Sequence, residues 1–241
     1  MKRQADINTL IQATSKQMED IRNLYKNNLE LKDVSSELKV AIKNYLENLR
    51  STLDYLAVEI YEAHCATSKK VQVYFPILKR DASKSDFDNF MRGRFPKLNQ
   101  NKPGLYNKLE SYQYFIDQRN EWLVDFNTLV AESKHLQLVP QKKKELKRLI
   151  LSHGNAIVTI DGRASVSIGE GASVSIGGAT IEGGQTLSPN APFIRADPRL
   201  NVRKETWVDF TFPSIQKSAL SFLENLHPQI AIVLLDIAQL V

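Results

Sequence analysis

The chain has 241 residues, with 42% hydrophobic and 24% charged side chains, which fits a globular protein of one large or two modest domains. No run of 18 apolar residues occurs, "MKRQADINTL" lacks the apolar stretch of a secretory signal, and Cys65 stands alone, so an intrachain disulfide is excluded and a cytoplasmic protein without membrane contact is expected. The net charge of +5 is uneven: residues 154–241 carry 6 basic and 8 acidic groups, leaving 26 of 32 basic and 19 of 27 acidic groups to residues 1–153, a surplus that suits an acidic partner such as RNA.

From the N-terminus, Ile7, Ile11, Thr14, Met18, Ile21, Tyr25 and Asn28 recur at alternating spacings of four and three. That spacing predicts one stripe of a long amphipathic helix. "KDVSSE" interrupts it, with Asp33, Ser35 or Ser36 as an N-cap. A second stripe runs through Leu38, Ile42, Tyr45, Leu49, Leu53, Leu56 and Ile60 to about His64, and the two helices are expected to pair antiparallel. "KVQVYFPIL" reads as a short strand or extended link ending near Pro76. Shorter helices follow at "SDFDNFMRG", after Pro103, and at "NEWLVDFNTLVAESKH", where Trp122, Leu123, Phe126, Leu129 and Val130 form a buried face. "QKKKELKRLILSH" reads as a basic helix with Leu146, Leu149 and Ile150 on its apolar side.

Composition changes near Gly154. "NAIVTIDGRASVSIGEGASVSIGGATIEGG" contains four alternating segments separated by Asp161-Gly162, Glu170-Gly171 and Gly177-Gly178, dipeptides suited to hairpin turns. The six residues Ala164–Gly169 recur unchanged at Ala172–Gly177, and they are expected to pair as antiparallel neighbours in a β-meander. A phosphate cradle is disfavoured: Gly169-x-Gly171-x-x-Val174 lacks the third glycine, and a strand rather than a helix comes next. "ETWVDFTF" adds a longer strand up to Pro213. Two closing helices are expected, "SIQKSALSFLENL" and a nearly all-apolar one opened by Pro228.

His64, His135, His153 and His227 have no partners at metal-ligand spacing, so no metal or cofactor is expected. Glu47, Arg50 and Asp54 fall on one helix face, as a surface ion-pair ladder or as part of a site. Lys142, Lys143, Lys144, Lys147 and Arg148 form either the solvated face of their helix or a phosphate track.

"NYLENLRSTLDYLAVEI" (44–60), "FPI" (75–77) and "LVAESKH" (129–135) resemble an uncharacterised bacterial family with an NLRSxLDxLA helix, an FPI link and a helix ending in Lys-His. That family is distantly similar to HEPN domains, helical bundles that often dimerise and cleave RNA. The HEPN hallmark is Arg-x(4–6)-His at a helix end. His135 occupies the histidine place, whereas Val130 and Ala131 stand where the arginine and its polar neighbour belong; Arg148 to His153 gives a formal match in the later basic segment. The resemblance implies metal-independent RNA chemistry, with His135 as acid/base, Arg50 as phosphate stabiliser, Asp54 orienting either, and Lys134 adding phosphate affinity. Phage defence or a toxin system is the context it implies.

The expected fold is α+β and mainly α: a long antiparallel helical bundle over 1–153, then a β-meander and two closing helices over 154–241 packed on it. Two functions compete. One is a HEPN-like protein that binds RNA and, with a working motif, cleaves it. The other is a non-catalytic interaction protein that forms a homo-oligomer through its first two helices.

Overall fold

Helix α1 (Gln4–Leu31) buries Ile7, Thr14, Met18, Ile21, Tyr25 and Asn28, the stripe its spacing predicts. The computed structural model describes residues 2–31, 33–65, 71–135, 141–162, 164–191 and 194–241, without the side chains of Lys134, His135 and Trp207. Helix α2 (Ser36–His64) begins at Ser35, whose hydroxyl accepts the Leu38 N–H. Asn28 sets the turn between the two helices, because its amide oxygen accepts the Ser35 N–H while its nitrogen donates to Leu24 O. The pair lies antiparallel, with Leu38, Ile42, Tyr45, Leu49, Leu53, Leu56 and Ile60 all fully buried.

The chain forms two compact units, one comprising residues 1–142 and 210–241, the other residues 143–209. In the first unit, the helices after α2 are α3 (Lys84–Arg94), α4 (Leu98–Asn101), α5 (Pro103–Ser111) and α6 (Glu121–His135). A capping box between Ser83 and Asp86 starts α3, and Pro103 occupies the first turn of α5.

Helix α7 (Ala219–Ala238) closes this unit. One helix therefore stands where two were expected. Pro228 lies inside it, although an interior proline removes a backbone hydrogen bond at a cost of about 3 kcal/mol. Burial on both sides of the break, by Phe222, Leu223 and Leu226 before it and Ile230, Val233 and Ile237 after it, offsets that cost. Tyr45 secures the turn preceding the proline by donating its hydroxyl to Leu223 O at 3.0 Å. By length and composition α7 could cross a membrane, yet its buried face packs against α1, α2 and α5.

The second unit is built of strands. Strand β1 (Lys142–His153) pairs antiparallel with β2 (Ala156–Asp161), from Arg148↔Asp161 to His153↔Ala156. The basic helix expected over 142–153 is thus a strand. Burial alternates along it, with Leu149 and Leu151 fully buried and Lys147, Arg148 and Ile150 less so. Leu146, Leu149 and Ile150 also fit a helical stripe. The turn at Gly154, with φ of +56°, delivers a pairing partner and decides for the strand.

The β-meander also needs correction. Strand β3 (Val166–Ile168) pairs with β6 (Gln185–Leu187), and β4 (Ser173–Ile176) pairs with β5 (Ala179–Glu182), one hairpin inside the other. The two copies of the hexapeptide therefore each pair with a later segment, not with one another. Gly177, the last residue of the second copy, and Gly178, at φ of +57° and +88°, make the tight turn from β4 to β5. Gly184 then returns the chain beside the first copy, donating to Ile168 O at 2.9 Å. Both copies keep their isoleucines inward: Ile160, Ile168, Ile176, Ile181, Leu149, Leu151 and Leu187 form one core. Strand β7 (Asn201–Phe212) lies beside β1 in the sheet order β2-β1-β7-β8 and runs on into the first unit, where β8 (Lys217–Ser218) pairs with its last residues.

Candidate functional site

Arg50 and Asp54 lie one turn apart on α2, and the structure joins them as an ion pair, Nη2 to Oδ1 at 3.0 Å. Arg50 is 9% exposed, so its charge is withdrawn from bulk water and requires partners. It has them. Nε donates to Asp54 at 3.1 Å, Nη1 to Asn127 Oδ1 of α6 at 3.2 Å, and Nη2 to the Phe75 carbonyl at 3.2 Å. Asp54 in turn accepts the Phe75 N–H at 2.9 Å.

The link around Phe75, residues 71–79, is neither helix nor strand, so its backbone groups must find side chains. Arg50 and Asp54 satisfy both groups of Phe75. Gln113, 2% exposed, donates to Pro76 O at 2.9 Å and accepts the Leu78 N–H at 3.2 Å. Arg94 donates to Gln72 O at 2.8 Å. The "NLRSTLD" and "FPI" stretches thus meet in one structural clamp. The signal that Gln113 and Asn127 belong to it was absent from the sequence, because neither has a local pattern that marks it.

Beyond the link, Arg80 and Lys217 close around two carboxylates of α6. Arg80 binds Glu121 and Asp125 at 2.6 and 2.9 Å, and Lys217 binds Glu121 and Asp125 at 2.7 and 2.6 Å. Asp125 is 2% exposed. The hydrogen bond from Lys217 holds the Glu121 carboxyl below its usual range, against the opposing effect of burial. This cluster borders a cleft of about 460 Å³ that also includes Leu78, Asn127, Ser214 and Gln216, the last at a left-handed φ of 54°. These four charges neutralise one another within the cluster, and Lys79, exposed, also lines the cleft.

The remaining expected site residues separate. Lys134 and His135 end α6, but their side chains lie outside the described residues, and so does their expected approach to Arg50 and Asp54. Lys143, Lys144 and Lys147 are exposed on β1 and make no ion pair among the described residues; Lys142, just before them, is exposed too. Arg148 is different: it is bound to Asp161 of the neighbouring strand at 2.5 Å, and that hydrogen bond raises its pKa. His153, at the formal motif's end, directs Nδ1 to Gly177 O at 2.9 Å. Among the described residues no group of His, Cys, Asp and Glu could hold a metal ion.

No family model, curated protein or solved structure matches this chain.

Proposed function

We propose that this chain binds RNA without sequence preference through the lysines of β1, and that Arg50 and Asp54 maintain the fold instead of serving cleavage. The observation supporting this reading is the exposure of Lys143, Lys144 and Lys147 along one strand with no carboxylate bound to them among the described residues. Unpaired lysines release counterions when they meet phosphates, which drives binding that ignores base identity. Glu145 shares the face of Lys143 and Lys147, so the attraction is modest. Arg50 has its partners already, and a guanidinium held by a carboxylate, an amide and a backbone carbonyl has little left for a scissile phosphate.

Fluorescence anisotropy with a labelled single-stranded RNA across a salt series tests the proposal. Affinity should fall as salt rises, and each lysine changed to glutamine in K143Q/K144Q/K147Q should lower the log–log slope by roughly 0.7 to 1. The RNA should remain intact throughout. Absence of binding at low salt, with sedimentation as a tight dimer, would replace this reading with self-association.

A further inference from the structure

In the first unit, α3, α4 and α5 surround a cleft of about 520 Å³ that the RNA-binding proposal does not use. One carboxylate lines it, Asp88, and that charge is already engaged. Lys84 binds it through Nζ, and Tyr106 donates its hydroxyl to the same oxygen at 2.5 Å. These two hydrogen bonds, the lysine's first, hold the Asp88 carboxyl below its usual range. Lys84 is also bound to Glu110 at 3.3 Å, so one lysine is shared by two carboxylates at this end.

Two further cations line the cleft, Arg92 of α3 and Lys97 before α4. Both are exposed, and neither makes an ion pair or side-chain hydrogen bond among the described residues. Asn99 and Gln100 add neutral amide groups to the wall. Lys97 has a left-handed backbone, with φ of 63° and ψ of 6°. It is the third residue of a turn in which the Leu98 N–H donates to Phe95 O at 3.1 Å and Pro96 stands second. Glycine or asparagine fills that position without the steric cost a lysine incurs. Strained residues of this kind concentrate at ligand sites. Here the strained residue also carries one of the two unpaired charges.

We propose that this cleft binds a phosphate-type oxyanion between Arg92 and Lys97, with the amides of Asn99 and Gln100 as further donors. Arginine meets such an anion through paired N–H groups, and lysine adds a point charge. Lys84, Arg92 and Lys97 together outnumber Asp88 and Glu110 by one charge, so a net positive charge remains for the anion.

The test is a titration of the isotope-labelled chain with inorganic phosphate at low salt, followed by amide chemical shifts. Saturable shifts should centre on residues 92–100. R92Q and K97G should each weaken binding about fivefold. Glycine suits the backbone at position 97, so K97G should melt no lower than wild type; K97N, which also tolerates this conformation, serves as a second variant. A competition arm with a single-stranded oligoribonucleotide distinguishes sources of the anion. Displacement of phosphate at lower oligonucleotide concentration identifies a nucleic-acid backbone, and its absence identifies a small phosphorylated ligand. Shifts that do not saturate, or unchanged affinity in both K97G and K97N, would overturn the proposal. K143Q/K144Q/K147Q should bind phosphate here like wild type, so this site and the RNA-binding proposal fail separately.

Discussion

Arg50 and Asp54 grip a single residue from both of its backbone groups: Asp54 accepts the Phe75 N–H and Arg50 donates to the Phe75 carbonyl. The pair is buried enough that removing one member strands the other. Arg50→Ala should therefore cost about 3 kcal/mol of stability in urea denaturation. The double change R50M/D54L should cost less than the sum of the single ones, since it leaves neither charge uncompensated. Loss below about 0.5 kcal/mol in Arg50→Ala, within the range of ordinary surface changes, would remove the clamp from the account.

Strand β1 makes a distinction that a helix would not. Leu151→Ala should cost about 2–4 kcal/mol, because Leu151 is fully buried in the core of the second unit. Leu146→Ala should cost under about 1 kcal/mol, since Leu146 is only half-buried. A helical stripe through Leu146, Leu149 and Ile150 predicts the reverse order. Thermal unfolding of the two variants decides.

Much of the first unit was legible in the sequence because its long helices each repeat one face many times. Seven of seven stripe positions in α2 are buried, from Leu38 to Ile60, as the spacing required. The second unit was harder, for a physical reason. Two identical hexapeptides offer several registers of similar quality, and the choice rests on turns and close approaches far apart in sequence. The candidate site was legible only in part. Arg50 and Asp54 stood out as neighbours on one face, but Asn127, Gln113 and the Phe75 backbone join them only through packing.

Gly183 is one such close approach. A Cβ there would strike the carbonyl oxygens of Gly169 and Ala172. Gly183→Ala should destabilise the second unit by about 1–3 kcal/mol through forced backbone shifts. Gly93→Ala, where the added carbon meets nothing within 4 Å, is the control. Calorimetry of both variants tests the nested hairpins directly.

Acid should loosen the cluster on α6. The hydrogen bond from Lys217 lowers the Glu121 pKa below the usual 4.5. A depressed carboxyl stabilises the fold above its unfolded-state value, and that stability is lost as pH falls through the lower folded-state value. The melting temperature should thus fall as pH drops below about 4.5, and Glu121→Gln should flatten that decline. An unchanged pH profile in the variant would assign the acid sensitivity elsewhere.

Cys65 should be inert in the folded chain. It is 5% exposed, and burial pushes its thiol up to about 11. At pH 8 only about one thiol in a thousand would be ionised, so iodoacetamide should modify it only after unfolding. Rapid labelling of the native protein, followed by mass spectrometry, would contradict that burial.

The first unit is interrupted in sequence by the second, and its last helix, α7, arrives only after residue 218. On the ribosome, residues 1–142 therefore emerge with the surface meant for α7 still bare, including the hydroxyl of Tyr45 that waits for Leu223. At ordinary elongation rates that surface stays uncovered for roughly five to twenty seconds. Residues 143–209, whose strand partners all lie close in the chain apart from β7, have time to fold first. A released chain truncated after residue 215 should consequently hold a finished second unit and an open first one, the species on which a holding chaperone would act.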